Sequence, residues 1–201
     1  MSYNITQEEV DKLKNLEGEV RGVVFKTDRK FIVSKAGEKG VKKVEEELSN
    51  INHPFIYDNI EEMEFYSFGM RIASIMSIYK ALNLSEEDVI EMGRKAPRVS
   101  SFIRFFNKHF LSIEKTLAKV GEIWQKHATS GKVTLEKVDE KEGFAIFHFS
   151  EIELNPLYVL YMRGYLSGSI SMVTGKKVEV SSKNFEKEGV FVNEFKATWG
   201  V

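Results

Sequence analysis

The apolar positions along this chain change period once, and that change divides it. From Thr6 to His127 they recur mostly at helical spacing; from Lys132 onward strand-like alternating runs flank a single helix. Thr6-Gln7-Glu8-Glu9 reads as a capping box, with Val10, Leu13 and Leu16 on one face and Gly18 as the stop. Val20 to Phe25 reads as a short extended piece around Gly22. Asp28 then opens a helix that runs to Gly37, and a second helix follows Gly40 with Val41, Val44 and Leu48 inward. Residues 51–62 form a loop around His53-Pro54, where the residue before proline disfavours helix. A stronger helix starts at Glu64 and buries Phe65, Phe68, Ile72, Ile75 or Met76, Tyr79 and Leu82. Ser85 caps a short helix that ends near Gly93, and Arg94-Lys95-Ala96-Pro97 reads as a polar break.

The longest predicted element runs from Ser100 to His127, about 40 Å at the α-helical rise. Phe102, Phe106, Phe110, Ile113, Leu117, Val120 and Trp124 keep its apolar face, which makes it a spine for both halves. Beyond Gly131 the pattern predicts strand–strand–helix–strand–strand. Lys132–Val138 and Phe144–Ser150 form a hairpin. Asn155-Pro156 starts a helix that stops at Gly175. Lys177–Ser182 and Gly189–Trp199 close the set, with a turn over residues 184–188. The fold class is α+β: a helical lobe over 1–98, then the long helix with a four-stranded antiparallel sheet and one helix over 99–201, packed as one integrated domain.

The helix after Pro156 carries Gly164, Gly168, Ser171 and Gly175 on one stripe, beside Tyr158, Tyr161 and Tyr165. Each interior glycine costs roughly 0.5–1 kcal/mol relative to alanine, so close backbone approach must offset it. The plain reading is a helix pressed on the sheet; the functional reading is the floor of a pocket.

The 201 residues are 42% hydrophobic, with 29 basic and 30 acidic side chains well mixed. That balance gives no electrostatic case for nucleic acid. No apolar run approaches a membrane span, and no secretory leader is visible, so a cytoplasmic location is expected. The chain has no cysteine, which removes disulfides and thiolate–metal sites. His53, His109, His127 and His148 show no metal-ligand spacing. There is no phosphate-binding loop, no nucleophile elbow and no carboxylate in apolar surroundings. The chain is not expected to be an enzyme. His109, beside the aromatic face, is read either as a half-buried structural histidine or as an axial ligand to a flat cofactor.

Asn155-Pro156-Leu157-Tyr158, Arg163-Gly164-Tyr165-Leu166-Ser167-Gly168 and Val190–Phe195 to Trp199, with Gly22-Val23-Val24-Phe25 and Met92-Gly93-Arg94, resemble a known superfamily. It comprises heme nitric-oxide/oxygen-binding (H-NOX) domains, 4-vinyl reductase-type domains, a myxobacterial paralogue group and Golgi-transport TRAPP subunits; the layout is most similar to the myxobacterial group. The resemblance implies a ligand pocket between the long helix and the sheet. It also implies, for heme-binding members, a proximal histidine and a Tyr-x-Ser-x-Arg propionate clamp. Neither is met: the proximal position falls near Leu117–Val120, and the clamp stretch reads Ile152-Glu153-Leu154-Asn155-Pro156. The zinc cysteines of vinyl-reductase-type members are absent too.

The leading expectation is therefore a non-catalytic sensor or binding module for a small hydrophobic molecule, with no cofactor. Its pocket would be lined by Phe106, His109, Phe110, Ile113, Leu117, Tyr161, Gly164 and Tyr165. A homodimeric interaction domain with a filled core is the alternative, and a heme-based gas sensor through His109 the second alternative.

Overall fold

The computed structural model describes residues 3–99, 113–152 and 154–200. Helix α1 (Gln7–Lys12) has the predicted capping box, with both reciprocal hydrogen bonds between Thr6 and Glu9. Strand β1 is Glu19–Arg21 alone, paired antiparallel with β2 (Phe65–Ser67). The extended reading of Val20–Phe25 fails at Gly22. There the N–H reaches the Glu64 carbonyl (2.8 Å), while the carbonyl accepts from Phe25 and Lys26 and turns the chain into α2 (Val23–Asn50). A Cβ on Gly22 would lie 2.0 Å from the Glu61 carbonyl oxygen, so only glycine fits that corner. The predicted two helices are α2 itself, interrupted at Gly37 (φ 65°).

Helix α3 (Phe68–Ala81) starts after Ser67, whose hydroxyl accepts from Met70 N–H. The predicted start at Glu64 is therefore too early, because Phe65–Ser67 pair with β1. Helix α3 is buried almost all round, as befits the core of a larger domain. Residues 100–112 of the long predicted helix lie outside the described residues. The remainder of that predicted helix is two pieces, α5 (Ile113–Leu117) and α6 (Val120–His127), separated at Ala118-Lys119.

Helix α4 (Glu86–Val99) runs through the predicted break, with Pro97 in its last turn. Gly93 does not stop it. A Cβ there would meet the Tyr161 carbonyl oxygen at 2.0 Å, so this glycine is a contact point with α7 (Pro156–Thr174). The reciprocal points are Gly164, 1.8 Å from the Ile90 carbonyl oxygen on the same test, and Gly168, 2.3 Å from that of Arg94. The glycine stripe thus faces a helix, not the sheet. Asn155 caps α7 by accepting from Leu157 N–H (2.9 Å), and Gly175 ends it in the left-handed conformation (φ 70°), both as predicted.

The sheet is antiparallel throughout, in the order β3 (Lys132–Asp139), β4 (Phe144–Ser150), β6 (Val190–Trp199), β5 (Val178–Lys187). Ala145, Phe147 and Phe149 of β4 alternate inward, as do Phe195, Ala197 and Trp199 of β6. Arg163 Nε and Ser167 Oγ of α7 donate to the Val180 and Val178 carbonyls, tying α7 to the β5 edge (2.9 and 2.7 Å). Strand β5 ends five residues later than predicted. The turn is Glu188-Gly189 alone, both at positive φ (53° and 77°), which suits a two-residue hairpin. The α+β class with a four-stranded antiparallel sheet and one helix stands as expected.

Candidate functional site

An apolar cavity of about 100 Å³ is walled by helix α6, the N-terminal half of α7 and β4. Val120, Ile123, Trp124 and His127 of α6 form one wall. Tyr158, Tyr161, Met162 and Tyr165 of α7 form the other, and Phe149 closes the sheet side. Val23, Val24 and Thr27 of α2, Ala96 of α4 and Arg71 of α3 also line it, with Val20, Ala128 and Leu166. Trp124 stands edge-on to Phe149 (5.3 Å) and donates from its indole to the Ser130 carbonyl (2.9 Å). Tyr158, Tyr161 and Tyr165 stack successively (5.9 and 6.3 Å) because they follow one another around α7 at spacings of three and four.

The α6 wall is the loose one. No residue of α6 is fully buried, although four of them line the cavity. Its C-terminal end, by contrast, is fastened to β1. Arg21 Nε donates to the Lys126 carbonyl (2.6 Å), and Thr129 N–H to the Glu19 carbonyl (2.9 Å). Glu19 N–H donates back to Thr129 Oγ1 (2.9 Å). Burial, with the Arg21 and Lys126 charges nearby, pushes His127 down to about 4, so its imidazole is neutral at physiological pH.

Arg71 is the one charged lining residue among the described residues. It is 1% exposed, its Nη1 donates to Asp28 Oδ2, and its guanidinium sits 4.6 Å over the Tyr161 ring. Ser74 donates to the same Asp28 oxygen (2.7 Å) and shares a hydrogen bond with the Tyr57 hydroxyl (2.8 Å). Arg71 Nη2 and Asp28 Oδ1 have no hydrogen-bond partner. Burial pushes the Asp28 carboxyl up against the pull of Arg71 and Ser74, while the guanidinium keeps its proton. Burial also pushes Tyr158 up to about 12, with the Arg71 guanidinium beside it pulling the other way. Tyr161 and Tyr165 are pushed up too, chiefly by burial.

Of the eight residues expected to line the pocket, Tyr161 and Tyr165 are on this cavity. Gly164 turns its bare face to α4 instead. Leu117 is buried and Ile113 half-buried in the core away from the cavity. Phe106, His109 and Phe110 lie outside the described residues. Sequence reasoning missed Arg71, Asp28, Trp124 and His127 as cavity or near-cavity groups. The signal for Arg71 was present: one cation inside the apolar run from Phe68 to Ile78. Among the described residues no group of three or more His, Asp or Glu could hold a metal ion, and no helix is long and apolar enough to cross a membrane.

No family model and no curated protein matches the chain. Solved structures do, and they are H-NOX domains. The oxygen complex of an oxygen-binding H-NOX domain related to soluble guanylate cyclases aligns at TM-score 0.64 and 14% identity, over 90% of this chain and 95% of that one. A point variant of the T. tengcongensis H-NOX domain aligns at TM-score 0.63 and 18% identity, over 90% and 98%. A structure from work on modulating heme redox potential through porphyrin distortion aligns at TM-score 0.62 and 17% identity, over 90% and 95%. This chain therefore has the H-NOX fold. The expectation of no cofactor is corrected by these neighbours, whose fold is that of heme-carrying domains, despite the departures at Leu117–Val120 and at residues 152–156.

Proposed function

We propose that this chain is a non-catalytic sensor domain that takes heme in the cavity between α6 and α7 and responds to a small gas. The observation that carries the reading is the coincidence of the H-NOX fold over 90% of the chain with an apolar, aromatic-walled cavity holding one neutral imidazole. The donor set fits a heme: flat aromatic walls from Tyr161, Tyr165 and Trp124, the His127 ring, and the Arg71 guanidinium. A bound heme would supply the iron that takes the gas. His109 keeps the axial role argued from sequence, and His127 is the histidine on the described cavity wall.

At about 100 Å³ the cavity is well short of the ~300 Å³ at which small-molecule pockets begin. Uptake must therefore swing α6 outward, the wall with no fully buried residue, about its fastened end at β1. Phe149 and Met162 would then exclude water from the apolar face of the group, and Thr27 and Arg71 would border its polar edge.

The test is a hemin titration of the heme-free protein followed by absorption, on wild type and on His109→Ala and His127→Ala. The expected result is a stoichiometric Soret band whose position shifts in one of the two variants. A folded wild-type protein that develops no Soret band overturns the reading.

A further inference from the structure

We infer that a polar groove between α4, α7 and β5 binds a small soluble anion carrying two or more phosphoryl groups. The groove shares no lining residue with the aromatic cavity, so this goes beyond the heme reading and does not depend on it.

The groove holds about 840 Å³, within the roughly 300–1,000 Å³ of small-molecule sites. Arg94 and Arg98 of α4, Arg163 of α7 and Lys177, just before β5, line it. Three of the seven arginines of a chain with net charge −1 thus border one groove. Glu87 and Glu179 line it too, and both are taken: Glu87 by Arg94 (3.6 Å), Glu179 by Lys177 (3.1 Å). Arg94 also pairs with Glu91. Four cations meet two carboxylates, and the two left without a carboxylate among the described residues are Arg98 and Arg163.

Those two guanidinium groups are open. Arg98 is exposed. Arg163 is half-buried and held by one edge, because Nε donates to the Val180 carbonyl (2.9 Å). Its two Nη groups make no hydrogen bond to the described residues and are not buried, so they remain reachable from the groove. The helix dipole favours a cation such as Arg98 in the last turn of α4, but it gives no reason for Arg163 in the middle of α7.

The chemistry of the lining selects the occupant. A planar guanidinium matches phosphoryl oxygens two at a time, and two unneutralised ones call for more than one negative charge. No aromatic side chain among the described residues lines the groove, which removes the platform a nucleobase would stack on. The large apolar side chains exposed among the described residues, Phe65 and Phe191 included, lie outside it. Nothing there inserts into a bilayer, so a free phosphorylated molecule fits better than a lipid head group.

The experiment titrates the protein with inorganic pyrophosphate at fixed ionic strength and reads binding by calorimetry. Arg98→Gln is expected to weaken binding about tenfold or more, the worth of one hydrogen bond to a charged group. Arg163→Lys keeps the charge but loses the fork, and is expected to weaken it by a similar factor. Lys141→Gln removes one positive charge at the exposed turn after β3, outside the groove, and should leave affinity unchanged. A loss there equal to that of Arg98→Gln means diffuse charge attraction and overturns the proposal, as does unchanged affinity in Arg98→Gln. Tighter binding of hexaglutamate than of pyrophosphate would make the groove a docking face for an acidic protein segment, and overturns it. Binding only to vesicles of phosphatidylcholine and phosphatidylinositol bisphosphate does so too, as does a folded wild type that binds no pyrophosphate. Should Arg163→Lys not fold, wild type, Arg98→Gln and Lys141→Gln decide alone.

Discussion

Replacing Gly164 by alanine tests the closest helix crossing in the molecule. The added Cβ would lie 1.8 Å from the Ile90 carbonyl oxygen and 2.8 Å from Arg94 N, both backbone atoms of α4. No rotamer change relieves such a contact. To restore ordinary separation near 3.4 Å the two helices must part by about 1.6 Å, in an interior packed as densely as a crystal. Overpacking of this kind costs about 1–3 kcal/mol, with the upper end apt where the obstacle is main chain. Alanine returns up to about 1 kcal/mol of helix propensity. The expected net loss is about 2 kcal/mol, a fall in Tm of roughly 4–8 °C for a domain of this size. Urea denaturation followed by circular dichroism reads it. Gly175→Ala is the control, since nothing lies within 4 Å of its Cβ and only the positive φ is strained, at about 1–2 kcal/mol. A Gly164→Ala protein as stable as wild type would refute the claim that α4 and α7 meet backbone to backbone.

Arg71→Met alone should destabilise by about 3–5 kcal/mol, because it strands Asp28 uncompensated in the core, and adding Asp28→Leu should recover most of that; chemical denaturation of both variants checks it. The Lys35 ammonium, with the Ser85 hydroxyl and N–H, holds the Asp88 carboxyl below the usual carboxylate range. A depressed folded pKa contributes stability above the unfolded value, near 3.9, and loses it as pH falls through the folded one. Asp88→Asn should therefore cost about 1 kcal/mol at pH 7, and the gap from wild type should close toward about pH 2. Amides of α6 should exchange with deuterium far sooner than those of α3, and hydrogen-exchange mass spectrometry that found the two equally protected would remove the movable wall.

Where local chemistry decides structure, the sequence was readable. The Thr6–Glu9 capping box, the Asn155-Pro156 start, the Gly175 stop and the β3–β4 hairpin all follow from a few neighbouring residues. Where a distant segment decides, it was not. Gly93 looks like a helix end until α7 is laid across it, and residues 184–187 look like a turn until β6 offers them partners. Val23–Phe25 are β-prone, yet the Gly22 carbonyl turns them into helix. The site was half legible. Tyr161 and Tyr165 stood out as aromatics on a glycine-rich helix, but Arg71 and Asp28 lie 43 residues apart and pair only after folding. The cofactor was not legible: the clamp and proximal positions are local motifs, whereas the H-NOX likeness lies in the layout of the whole chain.

The crossing at Gly93, Gly164 and Gly168 also has a mechanical meaning. Side-chain interfaces absorb small displacements by switching rotamers, so a push on one helix fades before it reaches the next. Main chain pressed on main chain has no such slack. A displacement of α7 at this crossing would have to be shared by α4, whose Ala96 borders the same cavity as Tyr161. The two helices are coupled there as one stiff pair.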